Sequence, residues 1–136
     1  MTEVFADTSA LYALLDSGDR VHRAAVTAFD RIDRGNSQLV SSSYVVLETV
    51  SLAQARLGVA AVRTWRDAFE PLLDIVWVTA DLHVRALVAL TSAGQRRISL
   101  TDWTSFELMR DRRISTAFAF DPHFRTQGFT LLTQAP

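Results

Sequence analysis

Cysteine and lysine are both absent from the chain, and each absence narrows the chemistry that it can perform. Without cysteine there is no disulfide, zinc–thiolate site or thiol nucleophile. All 14 basic residues are arginine, which binds phosphate oxygens bidentately. The arginines are scattered rather than grouped, which favours the codon bias of a GC-rich genome over a phosphate-binding surface. The net charge of -1 supplies no overall basic field for nucleic acid.

Long apolar runs and glycine are also scarce. No apolar run approaches the ~20 residues that span a membrane, and the N-terminus lacks the basic region of a secretory signal. These absences predict a soluble, cytoplasmic protein with no membrane association.

The five glycines form no phosphate-binding loop, and no G-x-S-x-G nucleophile motif is present. A length of 136 residues with 49% hydrophobic residues predicts one domain, 1–136, with a real core.

Short apolar segments alternate with amphipathic ones along the chain. Strands are predicted over residues 3–6, 38–40, 73–78, 114–120 and 129–132. Helices are predicted between them, including one from 59 to about 70, with caps at Thr8 or Ser9, Asp19, Ser41 to Ser43, Thr79 or Asp81, and Thr101. Such alternation predicts an α/β domain whose central, mostly parallel sheet of four or five strands is flanked by helices.

Four acidic residues lie where acidic side chains are unusual. Asp7 and Asp121 each end a short apolar run. Glu48 interrupts an apolar helical stripe, and Asp102 opens a helix with apolar neighbours on its own face. Burial of an unpaired carboxylate is costly, and a parallel sheet brings strand ends and helix starts to one edge. The four together therefore predict a shared divalent cation, and oxygen ligands without cysteine specify Mg²⁺ or Mn²⁺.

Each carboxylate also has a purely structural explanation. Asp7, Asp102 and Asp121 can each be a helix-capping or first-turn residue. Glu48 can instead form an ion pair with Arg56 or Arg63. The histidines, which lie early in helices or in a turn, are predicted to be surface or capping residues rather than zinc ligands: His22, His83 and His123.

Four segments of the chain resemble the motifs of PIN-domain ribonucleases. They are FADTSAL (5–11), VVLET (45–49), SLTDWTSF (99–106), and AFDPHF (119–124) followed by GF (128–129). Their order and separations match across nearly the whole chain. Within that family, a free-standing domain of this size resembles the VapC-type toxins of bacterial toxin–antitoxin pairs.

This resemblance implies a Mg²⁺- or Mn²⁺-dependent endoribonuclease that forms a homodimer and is neutralised by a small antitoxin. It also implies that Asp7, Glu48, Asp102 and Asp121 bind the metal and position water. Trp103 departs from the family pattern, since many relatives have a small residue there. A non-catalytic PIN-like module that binds RNA or protein is the main alternative function.

Several smaller features leave alternatives open. An aspartyl-phosphate phosphatase would need a second aspartate where Ser9 stands, and a phospho-receiver domain would need a lysine. The apolar pairs 11–12 and 14–15 can form an antitoxin groove or ordinary core, and core is the favoured interpretation. Arg96 and Arg97 can contact phosphates or remain solvated.

Overall fold

The structure, a computed structural model, describes residues 2–133. The predicted domain, 1–136, also includes residues 1 and 134–136, which lie outside the described residues. The strands are β1 Glu3–Ala6, β2 Gln38–Ser42, β3 Leu73–Val76, β4 Thr116–Phe118 and β5 Thr130–Leu131. The helices are α1 Thr8–Leu15, α2 His22–Arg34, α3 Ser43–Leu57, α4 Val59–Thr64, α5 Ala80–Ala93, α6 Leu100–Arg112 and α7 His123–Thr126.

All five strands form one sheet in the order β3-β2-β1-β4-β5, and every neighbouring pair is parallel. The predicted α/β fold with a central parallel sheet is therefore confirmed, with five strands. Parallel strands end at the same edge of the sheet. The residues that follow β1, β2, β3 and β4 consequently meet at one edge, which we call the carboxyl edge.

The middle of the sheet is apolar on both faces because helices cover both sides. In β1 the side chains of Val4, Phe5 and Ala6 are all buried, as expected for a strand inside a parallel sheet. An aromatic cluster packs between α6, α7 and β1. Its closest ring contact joins Phe106 and Phe124, with centroids 5.0 Å apart and nearly perpendicular rings. This cluster fixes the α6 and α7 segments relative to the central strand.

Three strands are shorter than their apolar runs predicted. β3 ends at Val76 rather than residue 78, β4 covers only Thr116–Phe118 rather than 114–120, and β5 covers Thr130–Leu131 rather than 129–132. The sequence pattern could not set these limits, because strand length depends on the partner strand. β4 pairs through Ala117 and Phe118 with the end of β1, and through Thr116 and Ala117 with the two residues of β5.

The predicted helix over residues 59–70 also ends early. α4 stops at Thr64, a π-helical turn follows over Trp65–Phe69, and a 3-10 turn covers Glu70–Leu72. Pro71 has no backbone N–H, so the regular helical hydrogen-bond pattern cannot continue through this residue. The Trp65 side chain is fully buried, and its indole N–H donates to Glu70 Oε1 at 3.0 Å.

The early apolar pairs belong to the core, as the favoured interpretation predicted. Leu11 and Tyr12 are buried, while Leu14 and Leu15 are partly buried against the core.

The prediction that Asp19 caps the second helix is wrong, because the Asp19 carboxylate accepts from Val21 N and α2 begins only at His22. Within residues 2–133, no helix combines the length and apolarity needed to cross a membrane.

Candidate active site

Asp7 follows β1 directly and caps α1, where Thr8 or Ser9 had been predicted to act as the cap. Its backbone N–H donates to Phe118 O at 3.0 Å, so the pairing of β1 with β4 continues to this position. The carboxylate is 4% exposed and accepts from Ser9 N at 3.1 Å and Ser9 Oγ at 2.7 Å. A buried carboxylate is thus fixed at the carboxyl edge by two local hydrogen bonds.

Ser9 joins two of the acidic segments. While its hydroxyl donates to Asp7 Oδ2, the same oxygen accepts from Phe120 N at 2.9 Å. Phe120 immediately precedes Asp121 in the chain. One serine therefore holds the carboxylate after β1 against the segment that positions the carboxylate after β4.

Asp102 lies in the first turn of α6 and takes part in a capping box with Ser99. Ser99 N donates to Asp102 Oδ2 at 2.9 Å, and Asp102 N donates to Ser99 Oγ at 3.1 Å. The helix cap is therefore Ser99, and the prediction that Thr101 caps this helix is wrong. The S-x-x-D spacing over residues 99–102 is a sequence signal of this arrangement.

Asp121 follows β4 and is held by the first turn of α7. Its Oδ1 accepts from His123 N at 2.9 Å, and its side chain is 23% exposed. His123 Nδ1 also lies 2.8 Å from Asp121 Oδ1, but the angles are not those of a hydrogen bond, and this buried nitrogen has no hydrogen-bond partner among the described residues. The distance counts as an ion pair only when the imidazole is protonated. Sequence reasoning did not assign His123 to the site.

Glu48 is half-buried in α3. The predicted alternative, an ion pair with Arg56 or Arg63, is absent from the part of the chain that the structure describes. Arg56 instead places its guanidinium 5.3 Å from the centre of the Tyr12 ring. α3 is tied to the start of α1 nearby, since Thr8 Oγ1 donates to Val45 O at 3.4 Å and accepts from Thr49 Oγ1 at 3.3 Å.

The electrostatics connect all four carboxylates. Burial, together with the charges of Asp102 and Asp121, raises the pKa of Asp7 to about 7, against the lowering effect of the Ser9 hydrogen bonds. Burial is also the main reason that the pKa of Asp102 is raised, and the charges of Asp121 and Glu48 add to it. The carboxylates are therefore close enough to repel one another in a poorly solvated region.

The donor set fits a hard divalent cation by its chemistry and charge, because carboxylate oxygens are the ligands that Mg²⁺ and Mn²⁺ prefer. A cation would offset both burial and the repulsion by neighbouring carboxylates, which together raise the pKa values of Asp7 and Asp102. In the arrangement that the structure describes for residues 2–133, no three acidic or histidine side chains approach closely enough to chelate one ion. A cation at this edge would be held by Asp7 and Asp102, with the carboxylates of Glu48 and Asp121 as neighbours.

Trp103 follows Asp102 in α6 and packs against the aromatic cluster. Its ring is 7% exposed and meets Phe106 edge to face, with centroids 5.5 Å apart. The indole N–H is buried and has no hydrogen-bond partner within residues 2–133. A bulky residue is therefore accommodated at this position by the aromatic cluster, without displacing Asp102 from its capping box.

Comparison with known proteins agrees with this geometry. Residues 4–129, which include all four acidic positions, match the PIN domain family. VapC20 from two strains of Mycobacterium tuberculosis, named a 23S rRNA-specific endonuclease, is 35% identical over 128 residues, covering 93% of this chain and 95% of the relative. A crystal structure of M. tuberculosis VapC20, called a sarcin–ricin loop cleaving toxin, superposes with a TM-score of 0.80 at 33% identity and covers 93% of this chain and 96% of that one. The chain therefore belongs to the PIN-domain family and, within it, to the VapC type that its motifs predicted.

Proposed function

We propose that this protein is a divalent-cation-dependent endoribonuclease and the toxin of a type II toxin–antitoxin pair. The main supporting observation is that burial, together with the charges of neighbouring carboxylates, raises the pKa values of Asp7 and Asp102 at one sheet edge. Such concentrated negative charge repels RNA phosphates unless a cation offsets it, and functional sites are where perturbed carboxylates gather. The similarity to VapC20 supports RNA as the substrate.

In the proposed reaction each side chain has a distinct task. A bound Mg²⁺ or Mn²⁺ supplies Lewis acidity for water activation and positive charge against the scissile phosphate. Asp7 and Asp102 hold the cation, while Glu48 and Asp121 complete the oxygen set or orient the attacking water. Ser9 and Ser99 keep Asp7 and Asp102 in place through the hydrogen bonds described above.

Cleavage of 23S rRNA is the first assay for this function, because the VapC20 relative is named for that substrate. Purified protein should cut the RNA with Mg²⁺ or Mn²⁺, and excess EDTA should stop the reaction. Asp102→Asn should lower cleavage by at least about 100-fold, since it removes one of the two carboxylates that hold the cation. Ser51→Ala, on the exposed surface of α3, is the matched control and should leave cleavage unchanged. Full EDTA-resistant cleavage by the wild-type protein would contradict the metal-dependent mechanism.

The partners implied by this function are a small antitoxin and a second copy of the chain. A short reading frame next to the gene should encode the antitoxin, and co-expression of its product should suppress RNA cleavage by the wild-type protein. Sedimentation of the purified protein should give the mass of a homodimer. A protein that binds RNA but never cuts it, with any divalent cation, would instead be the non-catalytic PIN-like module.

A further inference from the structure

Among residues 2–133, Trp77 is the only aromatic side chain that is largely exposed. Its relative exposure is 74%, whereas Trp65 and Trp103 are 1% and 7% exposed and the phenylalanines and tyrosines are buried or half-buried. A tryptophan in water forgoes the large stabilisation that burial of its ring would provide. Single exposed hydrophobic residues are common, so its position in the fold has to decide whether it has a role.

Trp77 lies at the carboxyl edge, together with the carboxylates. It follows Val76, the last residue of β3, which pairs with Ser42 of β2. Extending the pairing of Phe5 with Val40 by two residues brings Asp7 level with Ser42. Because neighbouring strands are ~4.8 Å apart, the backbones of Asp7 and Val76 are roughly 10 Å apart across two strand spacings. That separation is within reach of a few nucleotides of one single strand.

The backbone around Trp77 is firmly held. Val78 N donates to Ser43 Oγ at 3.0 Å, which ties this segment to the first residue of α3, the helix of Glu48. Thr79 then caps α5 by accepting from Leu82 N at 3.1 Å. A ring on such a fixed segment loses little conformational freedom when another ring stacks on it.

Because the site is acidic, a contact with RNA that does not depend on charge would strengthen RNA binding. The net charge is -1, and the carboxyl edge itself concentrates acidic side chains, so long-range attraction for RNA is weak. An aromatic face binds any unpaired base, and this attraction does not depend on phosphate charge. On these grounds, and as an extension of the function proposed above, we propose that Trp77 is the platform on which an unpaired base of the RNA substrate stacks beside the cleavage site.

The positions of the three tryptophans allow a direct test. Fluorescence excited at 295 nm and quenched with acrylamide reports mainly Trp77, because the other two rings are buried. The experiment uses the full chain with Asp102→Asn, to prevent cleavage, and an unlabelled RNA hairpin of the 23S rRNA sarcin–ricin loop. Saturating RNA should protect the quenchable fraction of the tryptophan fluorescence from acrylamide. Trp77→Ala should lack that fraction of the fluorescence. Protection must be absent when a double-stranded RNA without unpaired bases replaces the hairpin.

Affinity and kinetics give the second readout. Trp77→Ala should weaken hairpin binding about 5- to 150-fold, the range measured for loss of one base–aromatic stack. In the otherwise wild-type chain it should raise KM with kcat unchanged, and Trp77→Phe should restore much of the loss. Val88→Ala, an equally uncharged change at a side chain 58% exposed on α5, is the matched control and should bind RNA normally.

The outcomes separate this inference from the proposed function. If the hairpin binds tightly but Trp77 remains fully quenchable, or if Trp77→Ala binds as well as the parent, only the stacking role is overturned. If protection instead grows with protein concentration in the absence of RNA, and both Trp77→Ala and Val88→Ala reduce the sedimenting mass, Trp77 belongs to a protein–protein interface and the inference is wrong. No binding and no cleavage of any RNA by the parent chain would overturn both.

Discussion

Replacement of Asp7 by asparagine should stabilise the cation-free protein at high pH. Burial and neighbouring charges raise the pKa of Asp7 from 3.8 to about 7, so between those pH values the folded protein binds more protons than the unfolded chain. Its stability therefore falls as pH rises through this window, and the whole penalty is present above about pH 7. At 1.36 kcal/mol for each pKa unit, the rise corresponds to an upper limit of about 4 kcal/mol. Asparagine is neutral and still accepts the hydrogen bonds from Ser9 through its amide oxygen.

The assay is urea unfolding of the wild-type protein and Asp7→Asn in EDTA, at pH 5 and pH 8. The asparagine variant should be the more stable at pH 8, by up to about 4 kcal/mol in free energy of unfolding. Its advantage should be roughly 2–3 kcal/mol smaller at pH 5, where the carboxylate of the wild-type protein is mostly protonated when folded. Saturating Mn²⁺ at pH 8 should raise the free energy of unfolding of the wild-type protein but not that of Asp7→Asn. An advantage that is equal at both pH values, or a less stable variant at pH 8, would refute this account of Asp7.

Three further substitutions test the supports of the site by urea unfolding. Ser9→Ala should lower the free energy of unfolding by about 1–3 kcal/mol, because Phe120 N loses its acceptor; an unchanged value would mean that the bridge does not stabilise the fold. Ser99→Ala should cost about 1 kcal/mol through loss of the cap of α6, and equal stability would argue against the capping box. Phe106→Ala should cost about 3–5 kcal/mol, because the fully buried ring packs against other aromatic rings; a loss below about 1 kcal/mol would show that the aromatic cluster is loosely packed.

The sequence predicts the part of the site that depends on strand order alone. Asp7 and Asp121 end apolar runs that form neighbouring parallel strands, so they had to meet at one edge. The position of Asp102 followed from a helix start near the same edge. These inferences need only the alternation of strands and helices. Short apolar runs and capping residues in the local sequence predict that alternation.

The contacts that fix these carboxylates were not predictable in the same way. The bond from Phe120 N to Ser9 Oγ joins residues 111 positions apart, and nothing local in the sequence specifies it. The capping box of Ser99 and Asp102 was missed although its spacing is a recognisable signal, because Thr101 is an equally good capping residue type. The exposure of Trp77 depends on how α3 and α5 leave the sheet, which sequence patterns do not determine.

Calorimetric titration of Mn²⁺ into the protein tests the central claim most directly, because the claim is that acidic side chains from separate elements share a divalent cation. The wild-type protein should bind Mn²⁺ saturably near neutral pH and release protons as it does so, since the pKa of Asp7 is about 7 without the cation. Asp7→Asn and Asp102→Asn should each abolish or severely weaken this binding, while Ser51→Ala should retain it. Absence of Mn²⁺ binding by the wild-type protein at millimolar concentrations, or unchanged binding by both asparagine variants, would contradict the assignment of the carboxyl edge as a metal-dependent active site.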